Sequence, residues 1–138
     1  GVAMRPSSPT GIGRVGDALV FLLPGNPVSC LAAYDVFAGE VVRRMGGLSP
    51  NWPYVRIEGV LDDKIASDIG RLDYCRVSIS DDDTTISPLS ISGASILSST
   101  TRADGFVLVP PELEGYASGR TIGAWRYDLH RSDRGESE

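Results

Sequence analysis

The alternation of polar and apolar positions changes character near residue 48. Upstream of it, Ala18 to Leu23 is one continuous apolar run, the pattern of a strand buried on both faces of a parallel sheet. After a break, Val28, Leu31, Ala32, Ala38, Val42 and Met45 recur at helical spacing, with Phe37 and Val41 widening the stripe. This predicts a helix over 28–45, stopped by Gly46-Gly47. Gly39 inside that helix costs roughly 1 kcal/mol relative to Ala, which points to close packing at its turn. Gly1 to Met4 reads as the end of a strand. Residues 5–13 hold two prolines and two glycines and read as a loop.

Downstream of a linker at 48–53, short alternating stretches separated by turns take over. Tyr54 to Leu61, Asp73 to Ile79, Thr84 to Leu89, Phe106 to Val109 and Thr121 to Tyr127 are the expected strands. In the second of these, Cys75, Val77 and Ile79 alternate with Tyr74, Arg76 and Ser78, a half-buried pattern. Asp81-Asp82-Asp83 reads as a hairpin turn, and Gly115 to Gly119 as another. Ala94 to Ala103 is expected as a short helix capped by Ser92. The tail 130–138 is charged and nearly free of apolar residues, the composition of a disordered end. The fold class that emerges is an αβ segment (1–47) followed by a small all-β, barrel-like domain (48–129). Two strands and one helix cannot close an αβ layer alone. An incomplete αβ end before a complete β domain therefore reads as the C-terminal part of a longer chain.

Charge and composition narrow the function. At 138 residues and a formal net charge of −5, the chain lacks the basic face of a nucleic-acid binder. No apolar stretch approaches the ~20 residues that span a bilayer, and no secretory leader is visible. Cys30 and Cys75 lie in apolar patterns without motif spacing, as reduced structural thiols do, so a cytoplasmic location is expected. His130 is the single histidine, so neither a histidine metal site nor a catalytic triad is expected.

The candidate chemistry sits at Leu22-Leu-Pro-Gly-Asn-Pro-Val-Ser29. Asn26 suits an N-cap, Pro27 the first helical position, and Gly25 a close backbone approach. A helix start exposes N–H groups and partial positive charge, which favours a phosphate-like tetrahedral anion; Ser29 adds a hydroxyl. Capping alone would call for the same residues. The P-loop spacing is absent, and Gly11-Ile12-Gly13 is too short to carry a claim.

Four segments then occur in order: Met4 to Pro9, Leu23 to Ser29, Gly70-Arg71-Leu72-Asp73-Tyr74, and Gly93 to Gly105. Together they resemble the C-terminal part of the molybdopterin molybdenumtransferase family, which includes bacterial MoeA, plant Cnx and the gephyrin E domain. The resemblance implies an elongated four-domain homodimer whose third domain is an αβ molybdopterin-binding fold and whose fourth is a small β-barrel. It implies insertion of molybdate into adenylylated molybdopterin with release of AMP, assisted by Mg²⁺ whose ligands lie outside this chain. The partners implied are these small molecules and a second copy, with no nucleic acid and no membrane. Position by position, Arg5, Ser8 and Ser29 would be catalytic; Ser7, Pro9, Pro24, Gly25, Asn26, Pro27, Arg71 and Arg102 would bind substrate; no metal ligand is assigned. The family loop usually reads Lys-Pro-Gly-Lys-Pro. Here Arg5 keeps the first charge as a planar fork, while Ser7 and Ser8 replace the glycine and second lysine. A non-catalytic binding or scaffold module of the gephyrin type is the alternative reading, and each arginine also reads as a solvated surface side chain.

Overall fold

The computed structural model describes residues 1–89 and 103–127. The helix expected at 94–103, Arg102 and the tail from His130 lie outside the described residues. The described elements are β1 (Met4–Arg5), β2 (Gly11–Val15), β3 (Ala18–Leu22), α1 (Pro27–Ala33), α2 (Gly39–Met45), β4 (Val55–Leu61), β5 (Ile65–Ala66), β6 (Leu72–Ile79), β7 (Thr85–Pro88), β8 (Gly105–Val109), β9 (Gly115–Tyr116) and β10 (Thr121–Arg126). A π-helical turn, Tyr34–Ala38, joins α1 to α2.

Five strands close a mixed barrel in the order β6-β7-β4-β10-β8, with β8 returning to β6. All neighbours are antiparallel except β4 with β7. Inward residues follow the strand period: Leu61, Cys75, Val77, Ile79, Ile86, Val107, Val109, Ile122 and Ala124 form one buried cluster. Closure needs a close approach at Gly105, where a Cβ would lie 2.1 Å from the Trp125 carbonyl oxygen.

The strands of the barrel match the expected ones, but β6 is not half-buried. Tyr74 and Arg76, on its outer face, are as covered as the inner residues. The helix and an aromatic layer supply that cover: Tyr74 stacks on Phe106 at 4.2 Å, and Trp52 meets both Phe106 and Trp125 edge-on. Met4 and Ala32 belong to the same cluster. β1 extends β6 in parallel, with Met4 beside Leu72 and Arg5 beside Asp73.

Three expectations upstream are corrected. The parallel αβ layer is not seen among the described residues: β3 pairs only with β2, antiparallel, and both faces of this hairpin are largely exposed. The run Ala18 to Leu23 is apolar yet uncovered. Residues 11–13 are strand rather than loop, because cross-strand pairing with 20–22 outweighs the glycine content. The spacing Gly11-x-Gly13-x-x-Gly16 is that of the dinucleotide fingerprint, yet it lies in this strand and its turn, where Gly16 has φ 58°. No helix follows it, so it makes no phosphate loop. Third, the helix buries Val28, Ala32, Ala33 and Ala38, and meets the barrel's aromatic cluster through Ala32, Val36 and Phe37, while Leu31, Val42 and Met45 of the expected stripe are exposed. At Gly39 a Cβ would lie 3.1 Å from the Tyr34 carbonyl oxygen, which accepts the Gly39 N–H in the π turn.

No described helix is long and apolar enough to cross a membrane.

Candidate functional site

The two loops singled out in the sequence touch. Ser7 Oγ donates to the Ser29 carbonyl oxygen at 2.6 Å, both residues being buried. Ser7 has φ 92°, in the left-handed region, and follows a cis Arg5-Pro6 peptide. Thr10 fixes the loop from the other side, donating both its backbone N–H (3.0 Å) and its hydroxyl (2.7 Å) to the Ser7 carbonyl. Ser8 and Pro9 are exposed, with the Ser8 carbonyl accepting from Val2. Pro24 is half-buried, and Gly25 and Pro27 are exposed.

At the helix start the cap is intramolecular. Asn26 Oδ1 accepts from the Val28 N–H (3.2 Å) and the Ser29 N–H (3.4 Å), and the Asn26 carbonyl accepts from Cys30 at 2.8 Å. Pro27 has no N–H to offer. The first-turn amides expected to grip an oxyanion are therefore spent on the cap. An anion beside this turn must be held by side chains.

Two of the candidate arginines converge on one carboxylate, that of Asp73. Side chains alternate across a strand, so with Met4 packed under the helix, Arg5 points to the opposite face of β1. There its Nη2 donates to Asp73 Oδ2 and, at 3.3 Å, to the Ala66 carbonyl of β5. Arg71 Nε donates to Asp73 Oδ1 at 3.0 Å, and its Nη2 pairs with Asp68 at 2.6 Å. Asp73 is 0 % exposed. Below it on the barrel side of β6, burial pushes the Cys75 thiol up to about 11, and the Asp73 charge adds to that.

Arg76, expected on the polar face of a half-buried strand, also lies beside the helix start. It lines a cavity of about 220 Å³ with Arg5, Pro6, Val28, Tyr74 and Leu89. It also lines a second, of about 270 Å³, with Val28, Ala32, Asp35, Tyr74 and Tyr127. Only the neighbouring Tyr74 hinted that this face was covered. Asp35, on the π turn, completes the second cavity: its carboxylate accepts from Tyr54 (2.7 Å) and Tyr74 (2.9 Å), and Tyr74 and Tyr127 hydroxyls meet at 2.5 Å. Burial raises the Asp35 carboxyl above the usual range; the tyrosine bonds and the charge of Arg43 pull it down by less. Burial raises the three tyrosines too. Among the described residues, no group of three or more His, Cys, Asp or Glu side chains is placed to hold a metal ion. This region thus does not fit a Mg²⁺ site of its own.

Comparisons with known proteins agree on one relationship. The chain is 32% identical over 123 residues to a molybdopterin biosynthesis protein of Methanocaldococcus jannaschii, covering 88% of this chain and 28% of that protein. It is 29% identical over 124 residues to molybdopterin molybdenumtransferase 2 of Mycobacterium tuberculosis, covering 90% and 30%. Among solved structures, a molybdopterin biosynthesis MoeA protein from Pyrococcus horikoshii superposes with TM-score 0.80 at 26% identity, covering 92% of this chain and 31% of that one. The chain thus spans under a third of the length of these relatives. A family model, described as the MoeA C-terminal region (domain IV), matches residues 58–126, the span from β4 to β10. With the barrel, its covering helix and these relatives in agreement, the chain belongs to the MoeA C-terminal region family.

Proposed function

We propose that this chain is the C-terminal part of a molybdopterin molybdenumtransferase, which inserts molybdate into adenylylated molybdopterin and releases AMP in molybdenum cofactor biosynthesis. The observation that carries the reading is the cavity of about 220 Å³ where the Arg5-Pro6 loop, the first helical turn at Val28 and Arg76 come together. Cations in a partly enclosed, low-dielectric wall attract a tetrahedral oxyanion far more than they would in open water.

In this reading the chain's residues bind and orient, since insertion of a metal oxyanion and cleavage of a phosphoanhydride depend mainly on positioning and charge neutralisation. Arg76 faces the substrate from β6. The Ser7 to Ser29 bond holds the Arg5 to Pro9 loop against the helix start. Mg²⁺ supplies charge neutralisation at the phosphates when bound, from ligands elsewhere in the full-length homodimer.

The test is rescue of molybdoenzyme activity in a strain lacking the transferase, using the full-length protein. Arg76→Ala is expected to raise the molybdate needed for half-maximal rescue by about tenfold or more, the scale for removing one close charge partner. Arg5→Ala with Ser29→Ala is expected to impair rescue as well. Full rescue by both variants at unchanged molybdate concentration would remove this site assignment.

A further inference from the structure

Asp73 is the one buried carboxylate on the inward side of β6, and both arginines flanking it point at it. The register explains why. Arg5 lies directly beside Asp73 in the parallel β1–β6 pair, and neighbours in a sheet share a face. Arg71 lies two positions earlier, just before β6 begins, and its Nε reaches the same carboxylate at 3.0 Å. One carboxylate oxygen serves each guanidinium. Asp73 has a side-chain exposure of 1%, against 35% for Arg5 and 29% for Arg71. The acid is sealed and the two bases reach the surface.

The charge balance is uneven. Two guanidiniums face one buried carboxylate, leaving a positive charge in excess; Asp68 on Arg71 is 74% exposed, where solvent and salt screen it. A guanidinium carries five N–H donors in a fixed fork. Both bonds of Arg5 come from Nη2, so the donors on Nε and Nη1 are not used by them. Arg71 donates from Nε to Asp73, while its Nη2 lies within ion-pair distance of Asp68 but is buried without a hydrogen-bond partner, which leaves Nη1 and Nη2 outside that bond. A carboxylate that takes one edge of a planar fork fixes where the other edge points.

We propose that Asp73 is a positioning residue: from inside the barrel mouth it turns Arg5 and Arg71 so that their unused edges present a rigid, two-armed receptor for one oxyanion of the substrate. This rests on the transferase reading above and adds a residue to it. Asp73 touches no substrate and acts through the arginines.

The experiment uses the full-length enzyme and follows product formation against molybdate concentration. Asp73→Asn keeps the shape and removes the charge. Its expected effect is a rise of about tenfold in the half-saturating molybdate concentration, with maximal rate changed by less than about twofold. Arg5→Gln is expected to raise the half-saturating molybdate concentration as well, and the double variant to be no worse than Asp73→Asn alone, because Asp73→Asn already releases Arg5. A merely structural acid would lower the melting temperature, leave molybdate dependence where it was, and add to Arg5→Gln; that result overturns the proposal. If Asp73→Asn shows no cooperative melting, Asp73→Glu carries the test. It keeps the charge and moves the oxygens by one methylene, and an unchanged molybdate curve there also overturns the proposal. An unchanged curve for Arg5→Gln would instead remove Arg5 from the substrate site, and the positioning role would fall with it.

Discussion

Ser7 occupies a backbone conformation that suits glycine. At φ 92° a side chain costs about 1–2 kcal/mol. Its hydroxyl returns a buried bond to Ser29, worth roughly 1 kcal/mol. The two effects nearly cancel, which sets an order among variants. Ser7→Gly, losing the bond and the strain together, is expected to leave stability within about 0.5 kcal/mol of the parent, whereas Ser7→Ala, keeping the strain and losing the bond, is expected to cost about 1 kcal/mol. Urea midpoints of the three proteins check this; Ser7→Gly falling below Ser7→Ala would show that the loop needs the hydroxyl more than the dihedral freedom. Asn26 illustrates the same lesson for chemistry. Its position was legible from the sequence, but whether the amides behind it were free for an anion depended on where one side-chain oxygen pointed.

At the scale of elements, the joint between helix and barrel turns on Asp35. Burial outweighs the hydrogen bonds from Tyr54 and Tyr74, so its carboxyl titrates above the ordinary value near 4. In the window between those two values the folded state holds the proton that the unfolded chain has lost, so stability falls as pH rises through it. Asp35→Asn is expected to flatten that slope, so that the variant gains on the parent from acid to neutral pH. Denaturant midpoints from pH 4 to 7 measure it; parallel curves would contradict the sign. The π turn that presents Asp35 has no signature in the spacing of Val28, Leu31 and Ala32, which describes an ordinary helix. The barrel strands were legible because Cys75, Val77 and Ile79 obey the two-residue period and turns separate the strands. The outer face of β6 was not, because Tyr74 and Arg76 have the polarity of solvent-facing residues and only a distant helix makes them interior. The convergence of Arg5 and Arg71 on Asp73 escaped for a similar reason: the strand pair that brings them together joins residues 68 apart.

At the scale of the whole molecule, apolar side chains are left uncovered on the β2–β3 hairpin and on the helix. Both faces of the β2–β3 hairpin carry exposed residues (Ile12, Val15, Leu19 and Leu22), and the outer helix face adds Leu31, Val42 and Met45. Exposed apolar side chains in such number favour association. The 138-residue chain on its own is expected to self-associate as concentration rises, and Leu19→Lys with Leu22→Lys to reduce that, as read by sedimentation velocity. A parent chain that stays monomeric throughout would show that these side chains find cover within the molecule.

The parallel ribbon formed by β1 and β6 also bears on timing. Two strands running the same way cannot be zipped from a tight turn, and Met4 must wait for Leu72 to exist before it has a neighbour. During synthesis the helix over 27–45 therefore emerges before the barrel strands it packs on, and it is expected to settle against them only once those later strands have made a wall.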